Sequence, residues 1–258
     1  MIAEIEGKLS KSIFDRAERL ENQLTGNFFG NLRYLPYDKG LGHILKRLHP
    51  KDLNSAFEDI NVKEWSDTVE FWKRKETIEP DVYIDFSEIN MKIIIEVKLN
   101  SPLSSDDDVD NSSKADGQEA IESENQLAKQ AVWLAKNAGN NRKFLILLAR
   151  ASDAYEIYAN VKARKIIIED VSFGIITWED AYDALIALIA IDCLNPYERV
   201  IIDDLATLLQ KKGFDGFRSF EINDLLVDSQ MTWMFDYSND FSFIPERAIE
   251  RGLYFEFG

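Results

Sequence analysis

Three residues whose types and spacing suit hydrolytic chemistry stand close together in the chain: Asp81, Glu96 and Lys98, within EPDVYIDFSEINMKIIIEVKL from Glu79 to Leu99. Runs rich in Val, Ile, Tyr and Phe alternate with period two on either side of Ser87-Glu88-Ile89-Asn90, the pattern of a β-hairpin. A turn symmetric about the bond between Glu88 and Ile89 pairs residues whose numbers sum to 177. That register gives Val82, Ile84, Phe86, Met91, Ile93, Ile95, Val97 and Leu99 a single apolar face. On the other face it sets Asp81 across from Glu96, Glu79 across from Lys98 and Asp85 across from Lys92, with the Cβ atoms of direct partners roughly 4.5–5.5 Å apart. Two carboxylates held so close on a partly buried sheet must share a proton or share a cation. Lys98, on the same face roughly 6.6 Å along the strand from Glu96, favours the cation. The ion expected is Mg²⁺, with Mn²⁺ as a substitute, held by Asp81, Glu96 and the carbonyl oxygen of Val97 while Lys98 orients or polarises a water.

At these residues the chain resembles the PD-(D/E)XK nuclease superfamily: Pro80-Asp81 matches the PD element and Glu96-Val97-Lys98 the (D/E)XK element. The resemblance covers roughly residues 2–150. It implies an α/β fold with a mixed sheet, a restriction-endonuclease-like core in the order helix, three strands, helix, strand. It also implies phosphodiester hydrolysis by a metal-activated water. Members of the superfamily often bring an acid from the first helix to the metal, and Glu21 is the counterpart here. They often carry a QxxxY pattern on the second helix as well. Gln126 takes the glutamine place and Gln130 stands where the tyrosine would be, a departure from the pattern.

The elements that must position these residues follow from periodicity. Apolar residues from Ile2 to Leu24 recur at helical steps, with Gly26 and Gly30 closing the helix. DTVEFWKRK (67–75) alternates as the strand before the hairpin, and Ser101 to Glu119 reads as a polar loop. A second helix runs from Ala120 to Asn137, and KFLILLA (143–149) suits a fully buried strand. Further along, 152–165 fits a helix or a helix-strand mix, and Gly174–Thr177 a short strand. Thr177-Trp178-Glu179-Asp180 forms a capping box before a buried helix, and Asn195-Pro196 breaks the chain ahead of a further amphipathic helix from Tyr197 to Lys212 that ends at Gly213. The expected division is a nuclease-like domain over 1–194 and a mainly helical, aromatic-rich extension over 195–258 that packs on it.

Composition sets bounds on function. With 46 acids against 30 bases the net charge is −16, which opposes broad contact with a polyanion, so any DNA contact must be local. The densest basic patch, with Lys46, Arg47 and Lys51, is the candidate for meeting phosphates. Two histidines leave no four-ligand zinc cluster, a single cysteine fits a reducing cytoplasm, and no secretory signal or membrane span is read. The expected activity is Mg²⁺-dependent cleavage of nucleic acid, DNA before RNA. The alternative is an idle relative of the same fold that binds a partner protein through its acidic surface.

Overall fold

The computed structural model describes residues 2–6, 8, 16–58, 60, 62, 64–99, 126–191 and 193–215. The polar loop at 101–119, the first residues of the second helix and the aromatic-rich segment beyond 215 lie outside the described residues. Helix α1 (Ile2–Ile5) precedes α2 (Arg16–Leu32), and α3 (Leu41–Leu45) leads towards β1 (Val69–Phe71). The hairpin is β2 (Val82–Phe86) and β3 (Met91–Val97). Then come α4 (Gln126–Asn137), β4 (Arg142–Ala149), α5 (Ala151–Arg164), β5 (Ser172–Thr177), α6 (Trp178–Ala190) and α7 (Pro196–Lys211). The fold is α/β, built on a mixed five-stranded sheet in the order β1-β2-β3-β4-β5. Strands β1, β2 and β3 pair antiparallel, while β4 and β5 continue the sheet parallel.

The hairpin register is the expected one: Val82 pairs with Ile95, Ile84 with Ile93, Asp85 with Lys92 and Phe86 with Met91. Asn90 closes the turn with φ 52°, a left-handed conformation that asparagine tolerates because its short side chain can bond locally. Consecutive side chains on a strand point to opposite faces, and both faces of this sheet are covered. Val82, Ile84, Phe86, Met91, Ile93, Ile95 and Val97 share a core with Leu24, Phe28 and Leu32 of α2, Leu185 of α6 and Ile202 of α7. Tyr83, Ile94 and Leu145 face Leu127, Ala131 and Leu134 of α4 and Ala154 of α5. The sequence reading made this second face a charged one. In the structure its middle is apolar and its two ends are charged, with Asp81, Glu96 and Lys98 at one and the Asp85–Lys92 pair at the other.

Two further boundaries differ from the sequence reading. Gly26 and Gly30 lie inside α2 rather than at its end. A β-carbon on Gly26 would stand 2.9 Å from the backbone nitrogen of Ala3 and 3.3 Å from the Trp72 ring, so the residue is bare because two neighbours press on it. The strand expected over 67–75 is regular only over Val69–Phe71. Helix α7, in the segment expected to pack on the core as an extension, buries Ile202, Leu205 and Leu209 in the same core as α2 and α6. Thr177 with Asp180 forms the expected reciprocal capping box, and Asn195 with Glu198 forms a second one. Among the described residues, no helix is long and apolar enough to cross a membrane.

Candidate metal and hydrolytic site

Parallel strands β3 and β4 end at one edge of the sheet, and β2, running the other way, begins there. The carboxyl ends of parallel strands are the usual location of α/β binding sites, because loops there are free to vary over a rigid frame. Asp81 precedes β2, Glu96 is next to last in β3, and Lys98 follows it. One step past the last ladder pair, the same register sets Asp81 against Glu96.

Four chain segments fix the cluster. Asp81 accepts through Oδ2 from the Val97 main-chain N–H at 2.9 Å and through Oδ1 from the Trp72 indole N–H at 2.9 Å. Glu96, with no exposed surface, accepts through Oε2 from the Gln130 amide at 2.6 Å. Its Oε1 lies 2.9 Å from the Lys98 ammonium as an ion pair, and no hydrogen bond of regular geometry reaches it. Glu21 comes in from α2, accepting through Oε2 from the Leu99 N–H at 2.9 Å with its Oε1 3.5 Å from Lys98 Nζ. The Lys98 main chain is tied down on both sides: its N–H donates to Leu148 at 2.8 Å and its carbonyl accepts from the Trp178 indole at 3.1 Å.

Asp81, Glu96, Lys98, Glu21 and Gln130 are therefore brought together. The contact made by Val97 is through its N–H. Gln126 stands one turn before Gln130, half-buried at the start of α4. It is Gln130 that reaches Glu96. Glu79, expected opposite Lys98, instead forms an ion pair with Lys8, and Lys98 turns inward to the two glutamates. Asp85 and Lys92 pair as expected, at 3.1 Å. Lys46, Arg47 and Lys51 are exposed around His49, which bridges to Ile175 of β5 at the far edge of the sheet. Ile175 stands two strands across the sheet from Glu96, through Leu147 of β4. Trp72 is the site residue that sequence reasoning missed.

Three carboxylates against one ammonium leave the cluster with a charge of −2 when all are ionised. Burial, then the charge of Glu96, pushes the Asp81 carboxyl up to about 7, against the opposing pull of Lys98. Burial likewise raises Glu96, opposed by Lys98 and Gln130, and raises Glu21, opposed by Lys98. Burial alone would lower Lys98, but Glu96, Glu21 and Asp81 more than offset it and hold the amine well above its ordinary value. The lysine is thus a fixed cation, and the acids are short of positive charge.

Among the described residues no set of three or more His, Cys, Asp or Glu side chains is arranged to hold a metal ion alone. Mg²⁺ does not require one, since it binds through one or two carboxylates while keeping waters and taking substrate oxygens. The hard oxygen donors of Asp81 and Glu96, a Glu96 Oε1 met by the Lys98 ion pair and by no regular hydrogen bond, and the uncompensated charge fit such an ion. This fit carries a pH dependence. Acids whose folded pKa is raised hold protons that the unfolded chain has released, so their burial costs stability as pH rises from about 4 through about 7. A divalent ion relieves that cost only where the acids are ionised. Differential scanning calorimetry should show Mg²⁺ at about 100 times its Kd raising Tm by several degrees near pH 8, from about 2.7 kcal/mol of binding linkage, and by much less near pH 5.

Compared with protein-family models, curated proteins and solved structures, the chain matches none of them.

Proposed function

We propose that the chain is a divalent-metal-dependent nuclease of the PD-(D/E)XK kind with a restriction-endonuclease-like core, hydrolysing phosphodiester bonds of nucleic acid, DNA before RNA. The observation that carries this reading is the buried convergence of Asp81, Glu96 and Glu21 on Lys98 at the carboxyl ends of the strands. The order α2, β1-β2-β3, α4, β4 agrees with it. A bound Mg²⁺ would lower the pKa of a water and offset charge on the phosphate. Asp81 and Glu96 supply the oxygen ligands, and Glu21 adds negative charge behind Lys98. Lys98, permanently charged, orients the attacking water and stabilises the charge that grows on the phosphate. Gln130 holds Glu96 Oε2 and so leaves Oε1 to the Lys98 ammonium and an incoming ion.

A buried set of like charges has a cost and no packing benefit, which disfavours the idle, protein-binding relative as the alternative. Incubating the purified protein with labelled single- and double-stranded DNA and RNA separates the two. Cleavage that appears with Mg²⁺ or Mn²⁺, stops with EDTA and is absent in Asp81→Ala supports the nuclease. Intact substrates in every metal-containing reaction would reject it.

A further inference from the structure

Trp72 has an unusual backbone for its size. Its φ is 46°, in the left-handed region that bulky side chains avoid because the β-carbon crowds the following carbonyl. Regular alternation would send Phe71 and Trp72 to opposite faces of β1, yet both belong to the core beneath α2. The left-handed turn at Trp72 is what brings the second ring round. It also lets one residue address Asp81 twice: the main-chain N–H donates to the Asp81 carbonyl at 3.2 Å, and the indole N–H donates to Oδ1 at 2.9 Å. Trp72 is 7% exposed, and on α2 the missing side chain of Gly26 leaves room for the edge of its ring. A strained conformation persists only where its surroundings over-determine it, and such residues gather at functional sites.

We propose that Trp72 is a positioning residue for the Asp81 carboxylate. Resting on the metal-site reading above, this inference adds that the indole holds Oδ1 while the Val97 N–H holds Oδ2, so the plane of the carboxylate is set before any ion arrives. Each oxygen keeps lone-pair capacity for a cation. Without the indole donor Asp81 is free to swing towards Lys98, which competes for the same oxygens.

The test is calorimetric titration of the intact protein with Mg²⁺ and Mn²⁺ as wild type, Trp72→Phe and Trp72→His. Phenylalanine keeps an aromatic ring and loses the donor. Histidine keeps a ring N–H and tolerates the left-handed backbone. Loss of an outer partner of a metal ligand weakens metal affinity by about ten- to a hundredfold. Trp72→Phe is expected to show that loss, and Trp72→His to recover part of it. In the unmutated protein the indole ¹⁵N–¹H resonance of Trp72 should shift when Mg²⁺ is added, a readout that does not depend on a variant folding. A merely structural role would lower Tm and leave the Kd unchanged. Wild type and Trp72→Phe binding Mg²⁺ equally, or an unmoved indole resonance in protein that binds Mg²⁺, overturns the inference and leaves the nuclease reading standing. Wild type that binds neither ion overturns the metal site itself.

Discussion

Lys98→Met is expected to abolish cleavage and to destabilise the metal-free fold by about 3–5 kcal/mol, the usual cost of leaving buried charge without its partner. The methionine fills similar space, so the loss is one of charge. Lys98 Nζ lies 2.9 Å from Glu96 and 3.5 Å from Glu21, and it also draws Asp81 towards ionisation. Removing it leaves three buried acids with no cation. Two consequences separate this from a simple packing defect. The destabilisation should shrink as pH falls and the acids take up protons, and saturating Mg²⁺ should restore part of it. Denaturant unfolding near pH 8 and near pH 5, with and without Mg²⁺, reads both. A loss of stability that is the same at both pH values would contradict the charge account.

Glu96→Gln should have the opposite balance: activity falls by a factor of about a thousand or more, while stability holds or rises. The neutral amide removes a metal ligand but also removes the charge that raises Asp81, and Lys98 keeps Glu21 as a partner. Relief of the repulsion between Glu96 and Asp81 offsets the loss of one of the two partners of Lys98. Single-turnover cleavage paired with denaturant unfolding tests this. A variant that is both inactive and strongly destabilised would show that Glu96 is held for the fold and not for an ion.

How far the site was legible differs from residue to residue. The hairpin could be read to the residue because a short turn and a period of two leave one register: a shift of one would turn Ile93 and Ile95 out of the core. Glu21 and Gln130 came only through resemblance, since nothing in the spacing of α2 or α4 says which of their polar residues turns inward. The second sheet face was misread because its charged ends, Asp81, Glu96 and Lys98 at one and Asp85 and Lys92 at the other, dominate the pattern. Its middle, Tyr83 and Ile94, is as apolar as the first face.

Trp72 was out of reach for a different reason. A two-residue turn at Glu76-Thr77, closed by the Lys75–Ile78 bridge, carries the β1–β2 register on and sets Trp72 against Asp81, but the sequence reading followed one strand through 67–75 and placed no turn there. The positive φ that redirects the indole has no local sequence signal, and the ring edge lies against Gly26 of α2, far away in sequence. Gly26 misled by the same physics: it resembles a helix stop, yet its lack of a side chain serves Ala3 and Trp72 across the core. Local pattern reveals strands. It does not reveal which distant neighbour needs space.

The central claim is that Asp81 and Glu96 together hold one divalent ion beside Lys98, and diffraction from crystals grown with Mn²⁺, collected at the manganese absorption edge, tests it most directly. The account predicts an anomalous peak bonded to a carboxylate oxygen of each acid, lost in Glu96→Gln. A fully substituted crystal with no peak there, or with Lys98 still filling the space between the acids, would contradict it.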